Sequence, residues 1–309
     1  MPMLLVSGLI ADVDWTMRLV GASAFLHGHR TATHSLVGTL FLVLTVTGVS
    51  WIAGRTYPKF QVGFLSALII CTLGAGTHLL LDMLNSYGVN LLWPFSSKWF
   101  ALDLAPPADW WIIVFLLAGL LLPELLRLIH EEIGSKPMRG RQRGAIVGLI
   151  LVSLFVAGRG LAHQRALTIL DSREYRGQAP VRVAAFPKPA TPLVWLGVME
   201  TDNAILNIDV TLTPGSAFDP DQAEVHFKPQ DSSALKSAVE SQVAKDFLNF
   251  ARFPLAGVAP KDGGYNVRLQ DMRFASEIPK RQGIVAVIDL NARNQVVRQR
   301  LEFASSGGN

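Results

Sequence analysis

A single cysteine in 309 residues, Cys71 inside an apolar run, excludes both a disulfide framework and a thiolate metal site. Any metal must therefore be held by nitrogen and oxygen. Charge is also scarce: Asp, Glu, Lys and Arg make up 17% of the chain against 50% hydrophobic residues, an unusual balance for one soluble globule. The net charge of +4 makes no nucleic-acid footprint, because the basic residues are scattered or flank apolar runs instead of forming a stripe interleaved with aromatics. Nucleic acid is not expected as a partner. The start lacks both a basic stretch and a small-residue cleavage site, so no cleavable signal peptide is expected. Nor is there a Ser-His-Asp or Gly-x-Ser-x-Gly arrangement, an internal repeat or a low-complexity tract.

What the chain does have is long uncharged runs. Residues 35–53 carry no charge and match the length a helix needs to cross a hydrocarbon core of roughly 30 Å. Further spans are expected at 60–81, at 110–129, which opens on Trp110 and Trp111, and at 144–161, where Arg159 sits close enough to the end to snorkel. The opening MPMLLVSGLIA is too short to span alone and reads as the end of a helix. Orientation follows from the basic loop 130–143, which carries Lys136, Arg139, Arg141 and Arg143 behind Arg127 and is therefore expected in the cytoplasm. The loop with Arg55 and Lys59 then also lies inside, while residues 12–34, 82–109 and everything after about 163 face outward.

The remainder changes character. After a Pro-rich stretch at 179–192, LNIDVTL, NVRLQDMRF and IVAVIDL alternate with period 2, and residues 233–251 repeat apolar positions at helical spacing. The expected architecture is a polytopic α-helical membrane domain (1–162) followed by a soluble α+β domain (163–309) outside the cytoplasm.

Two outward-facing stretches concentrate metal-type ligands. HGHRTATHS (27–35) supplies His27, His29 and His34, and HLLLD (78–82) places His78 and Asp82 four apart on one helix face. Upstream, Asp12 and Asp14 end the first apolar segment. Imidazole with carboxylate is the ligand mixture of hydrolytic zinc and of manganese sites. Each residue also has an ordinary explanation: a histidine near a membrane end is commonly interfacial, an Asp in a turn is commonly a cap, and an i, i+4 pair can be a simple ion pair. Taken together, ionisable groups beside spans favour metal, since they are costly there and usually functional. His130, His163 and His226 lie outside the pattern and read as structural.

The order of ADVDW (11–15), HGHRTATHSL (27–36) and HLLLDMLNSYGVNLLWPFSSKWFALD (78–103) resembles the YdjM-like family of membrane-bound metal-dependent hydrolases of the bacterial inner membrane. NFARFPLAG (249–257) and VRLQDMRF (267–274) resemble the outer domain of longer members. The resemblance implies a hydrolase without naming its substrate. It also implies roles: His29, His34, His78 and Asp82 as metal ligands, with Asp12 and Asp14 completing the site or binding a second ion. Asp12, Asp14 and Arg30 are the candidate catalytic groups, Arg30 being shaped to hold an anionic substrate. Thr33 and Ser35 would orient histidines, Asn85 and Ser86 would cap the second motif, and Asp103 would support the site. Longer members begin with a further apolar segment bearing a Thr-His pair, so a site lacking that histidine would be incomplete.

The expected chemistry is metal-assisted hydrolysis by a divalent ion, zinc before manganese, on a lipid or lipid-linked phosphate reached from the bilayer. A transporter passing metal or protons is the principal alternative, but for a continuing polar path 36–53 and 60–76 offer only Thr, Ser, Gln, Cys and Gly. A membrane scaffold without catalysis is the third reading.

Overall fold

The computed structural model describes residues 2–57, 61–132, 141–216, 218–261, 263–274 and 283–303. Lys59, Lys136 and Arg139, on which part of the orientation argument rests, lie outside the described residues, as does the side chain of His130. Among the described residues, four helices are long and apolar enough to cross a membrane, and two antiparallel sheets follow them. The chain divides into two compact units, Met1–Leu102 with Glu200–Asn207 and Glu224–Asn309, and Asp103–Met199 with Ile208–Ala223.

The first unit opens with α1 (Pro2–Leu9), a 3-10 helix (Ile10–Thr16), α2 (Met17–Val20) and α3 (Ala22–Gly28), then the spans α4 (Leu36–Thr56) and α5 (Phe64–Leu84). Ser35 starts α4 by accepting a hydrogen bond from the Gly38 amide at 3.0 Å, which satisfies one of the orphan donors of the first turn. Residue 38 must be glycine, since a Cβ there would lie 1.7 Å from the Ala32 carbonyl oxygen. Val43 and Val46 of α4 meet Cys71 and Ala75 of α5 in a buried seam that Met3 and Ile10 join. Cys71 thus serves as a small apolar side chain in a helix contact. The opening apolar segment is the short helix α1, laid so closely on α5 that a Cβ on Gly74 would stand 2.3 Å from Ser7 Oγ and 2.7 Å from the Leu4 carbonyl.

The same unit contains α8 (Ser233–Val239), α9 (Gln242–Phe250) and the meander β5 (Pro254–Lys261), β6 (Gly264–Asp271), β7 (Ile284–Leu290) and β8 (Val296–Phe303), paired antiparallel in that order. The helical stretch expected over 233–251 is broken in two because Ser241 caps α9, accepting from the Ala244 amide at 3.3 Å. Strand β6 buries Val267, Leu269 and Asp271 alternately, as its period-2 pattern requires. Phe25 and Leu26 of α3 share one core with Ala238, Phe247 and Phe250 of α8 and α9 and with Val267, Ala286 and Ile288 of the sheet. The turn after α3 is therefore fixed against the C-terminal sheet.

In the second unit, α6 (Trp110–Glu132) and α7 (Arg141–Asp171) pack through glycines: a Cβ on Gly119 would lie 2.7 Å from the Gly144 carbonyl and 2.8 Å from Gly148 Cα. With 31 residues, α7 is about 46 Å long, so it runs well past a hydrocarbon core and continues through residues 162–163. Arg159 does not snorkel to water. It donates from Nε to the Leu104 carbonyl at 2.8 Å and from Nη1 to the Pro192 carbonyl at 2.6 Å, and lies over the Trp195 ring at 4.3 Å. Backbone acceptors thus take Nε and Nη1 inside the fold, while Nη2 is buried without a hydrogen-bond partner among the described residues. The first sheet, β1 (Arg182–Pro187), β2 (Val194–Glu200), β3 (Ala204–Thr211) and β4 (Glu224–Phe227), keeps the same sequential order and is shared between the units; its Ala204–Phe227 and Asn207–Glu224 pairs belong to the first.

Replacing Gly74 by Val should lower stability by about 1–3 kcal/mol through overpacking. Gly76→Val, where a Cβ meets nothing within 4 Å, should leave it unchanged. Thermal unfolding of the two variants in detergent checks this, and equal melting temperatures would refute the close α1–α5 contact.

Candidate metal centre

α4 begins where α5 ends, so His34, just ahead of α4, meets His78 and Asp82 in the last two turns of α5. The 3-10 helix brings the acidic pair. At about three residues per turn, residues two apart leave on different sides, and Asp12 is half-exposed while Asp14 is buried.

Four donors converge. Asp12, His34, His78 and Asp82 each present one ligand-type atom, all within 4.8 Å of one another. His34 Nε2 lies 3.1 Å from His78 Nε2, 3.0 Å from Asp82 Oδ2 and 3.7 Å from Asp12 Oδ1. His78 Nε2 lies 3.4 Å from Asp82 Oδ2 and 3.5 Å from Asp12 Oδ1. A tetrahedral shell with bonds of about 2.0–2.2 Å has edges of roughly 3.3–3.6 Å, a range these five separations bracket. Asp82 Oδ2 is buried without a hydrogen-bond partner among the described residues although both ring nitrogens are near, so proximity there is not hydrogen-bond geometry. An orphaned carboxylate oxygen beside two imidazole nitrogens is what a cation-binding set presents.

Asp14 organises this set without joining it. Its Oδ1 accepts from His29 Nδ1 at 2.8 Å, its Oδ2 accepts from the Arg30 amide at 2.9 Å and Thr33 Oγ1 at 2.5 Å, and His34 Nδ1, hydrogen-bonded to Thr33 Oγ1 at 3.0 Å, pairs in charge with Oδ2 at 3.0 Å. A carboxylate on Nδ1 fixes the tautomer of His34 and leaves the Nε2 lone pair facing the cluster. His29, expected among the ligands, instead lies beside Asp14 and stacks on Phe25 at 4.4 Å; Asp12 takes the fourth place. Arg30 is turned inward as well. It donates from Nη2 to Asp82 Oδ1 at 2.7 Å and from Nη1 to Asn85 Oδ1 at 2.8 Å, so its planar fork holds a carboxylate of the cluster and not an external anion. Its φ of 58°, uncommon for a side-chain-bearing residue, turns the chain so that its amide reaches Asp14 while its carbonyl accepts from the Asn90 amide at 2.9 Å.

Of the remaining expectations, Thr33 sits against His34 Nδ1, whereas the Ser35 hydroxyl caps α4 and donates to the Ala32 carbonyl. Asn85 Oδ1 accepts from the Tyr87 and Gly88 amides and so closes the turn after α5. Asp103 is buried in the second unit and outside the four-residue cluster. His27 bonds the Ser23 carbonyl and faces Asp246 at 3.3 Å.

Charge counting explains the arrangement. Asp12, Asp14 and Asp82 against Arg30 leave two negative charges if the histidines are neutral, which a divalent cation would balance and protons on the histidines would balance equally. Asp12 is held far below the usual carboxylate range, first by hydrogen bonding to His34 and His78. Burial pushes Asp14 upward, but the bonds from His29, His34 and Thr33 outweigh it and hold it low. Burial would likewise lower His34, yet Asp12, Asp14 and Asp82 together push it up to about 10.

The profile of the YdjM inner membrane protein family matches residues 1–166, which include α4, α5, α6, most of α7 and every residue of the cluster. The chain belongs to that family. A protein of Bacillus subtilis (strain 168) described as uncharacterized protein YfhP is 30% identical over 109 residues, covering 35% of this chain and 32% of that one. The matched segment is thus about a third of that relative's length. No solved structure matches.

One contributor has no metal-ligand signature. Arg273, after β6, forms a buried pair with Asp271 at 2.7 Å and donates to the carbonyls of Ser86 at 2.8 Å and Phe250 at 3.0 Å. It thereby ties the C-terminal sheet to the turn that follows Asp82. The only sequence trace of this was the Asp-x-Arg at the end of a strand.

The pH dependence of the chelator-treated protein follows. His34 is raised from 6.5 to about 10, so its contribution is complete below about pH 6.5 and is lost as pH climbs through about 10. Asp12 and Asp14 are lowered from 3.8, so theirs is complete above about pH 4 and is lost in acid. Thermal melts should therefore be highest between about pH 4 and 6.5 and decline on the alkaline side by up to roughly 1.4 kcal/mol per pH unit for one proton. His34→Gln should flatten that alkaline limb; an unchanged slope would refute the protonated His34.

Proposed function

We propose that the protein is a membrane-bound, metal-dependent hydrolase in which Asp12, His34, His78 and Asp82 hold one divalent ion. The observation that carries the reading is the convergence of four donor atoms at spacings suited to a tetrahedral shell. Two imidazoles with two carboxylates fit zinc, and manganese by ligand type. A bound ion of this kind supplies Lewis acidity and a water acidified toward neutral pH. The protein's own groups do the rest. Asp14 keeps the proton on His34 Nδ1, Arg30 holds the Asp82 carboxylate in place, and Asp12 is the most exposed member of the set. Because the cluster stands at the ends of two membrane spans, a lipid or lipid-linked phosphate is the substrate class we favour.

Metal analysis of the detergent-purified protein tests this. About one equivalent of zinc or manganese is expected, with His34→Ala and His78→Ala retaining essentially none. Asp14→Asn should bind some 10–100-fold more weakly, because it removes an orienting carboxylate and not a ligand. Wild-type protein that neither carries nor takes up a divalent metal would end the hydrolase reading.

The Lys and Arg asymmetry further supports a cytoplasmic 130–143 loop and an extracytoplasmic C-terminal domain. An alkaline phosphatase fused after Asn309 should be active, as this enzyme matures only outside the cytoplasm. A fusion active only as a cytoplasmic reporter would reverse the orientation.

A further inference from the structure

Beyond the metal cluster, the first unit contains a cavity of about 440 Å³ whose walls come from two distant stretches, residues 96–101 and 249–252, together with Tyr87. Its polar lining is one-sided in charge. Lys98 and Arg252 contribute two cations, Ser96 and Ser97 hydroxyls and Asn249 an amide, and no carboxylate lines it. A site for a metal or an ammonium group would need acidic oxygens, which this wall lacks. Tyr87 adds a second observation: its hydroxyl is buried and has no hydrogen-bond partner among the described residues. Burial also pushes that hydroxyl above its ordinary pKa of 10.0, so it stays a neutral donor.

The geometry points to a binding site for a phosphate ester of headgroup size. Lysine, arginine and hydroxyl side chains along a wall whose lining includes no carboxylate are the groups that hold phosphate oxygens. A cavity of several hundred cubic ångströms exceeds the need of a bare phosphate and leaves room for a small polar substituent. The placement fits as well. The wall at 96–99 follows directly on Leu92, Trp93 and Phe95, which expose large apolar side chains beside α4, to whose first residue Leu91 is hydrogen-bonded. Tyr87 connects the two sites physically. Its ring packs on Phe250 at 4.8 Å and Trp99 at 5.8 Å, and it also lies 5.6 Å from His29 and 5.4 Å from the Arg30 guanidinium. The pocket therefore adjoins the residues that orient the metal cluster, yet its own donors are different side chains.

Isothermal titration of the full-length protein in uncharged detergent, with inorganic phosphate and glycerol 3-phosphate as probes, tests the site. Glycerol 3-phosphate should bind saturably and more tightly than phosphate. Lys98→Glu should weaken it by roughly ten-fold or more, since it removes a charge-assisted donor and adds a repulsive charge. Lys98 is exposed, so this variant should fold normally, and Lys236→Glu, on the exposed face of α8, should bind as wild type. Repeating the titration in phosphatidylcholine bilayers with and without phosphatidylglycerol separates the sources. Displacement of the probe by phosphatidylglycerol identifies a lipid headgroup, and equal affinity in both bilayers identifies a soluble ester. No saturable binding of either probe, or binding that Lys98→Glu leaves intact, overturns the proposal. Wild-type protein that binds glycerol 3-phosphate but carries no metal would remove the hydrolase reading and leave this one standing.

Discussion

Three carboxylates drawn together at the end of a pair of membrane helices are the constraint around which this protein is arranged. Isolated, such charges would be expelled to water or protonated. Here each has a specific counterpart. Asp14 collects three hydrogen bonds and the charge of His34 from the turn ahead of α4, Asp82 is gripped by Arg30, and Asp12 and Asp82 share the faces of His34 and His78. The helix ends cannot be rearranged without separating charges that have little solvent to replace their partners, so the local fold and the ligand geometry are one problem with one solution.

That solution extends into the C-terminal half. The histidine-bearing turn is anchored through Phe25 and Leu26 in the core of the β5–β8 sheet, and the turn after Asp82 is anchored through Arg273, whose guanidinium lies against both Phe250 and Phe274. Buried ion pairs such as Asp271–Arg273 stabilise little in net terms but are strongly destabilising to break from one side. They suit a part whose purpose is placement. The C-terminal sheet therefore acts on the cluster by holding both loops that frame it.

The cluster also illustrates how one short acidic motif divides labour. In Asp-x-Asp on a 3-10 turn, Asp12 enters the donor set while Asp14 supports it from behind, because two residues on such a turn cannot face the same point. A chain with one cysteine has no thiolate to neutralise a cation, so the charge must come from such carboxylates and the geometry from imidazoles held by them.

Much of this was legible without coordinates, and the reasons are local. Uncharged runs of helical spanning length, period-2 strands and a His–Asp pair one turn apart are consequences of backbone periodicity, so the four spans, the strands at LNIDVTL, NVRLQDMRF and IVAVIDL, and the pairing of His78 with Asp82 follow from residue order alone. The meeting of His34 with His78 followed from alternating span direction. What order could not settle was the facing of side chains on irregular backbone. Whether His29 or Asp12 completes the four, and whether Arg30 faces an outside anion or Asp82, depended on a 3-10 turn and a left-handed residue whose orientation only packing determines. The link from Arg273 to Ser86 and the walls of the Lys98–Arg252 cavity join residues more than a hundred positions apart, and no periodicity encodes such a distance; only the tertiary structure decides it.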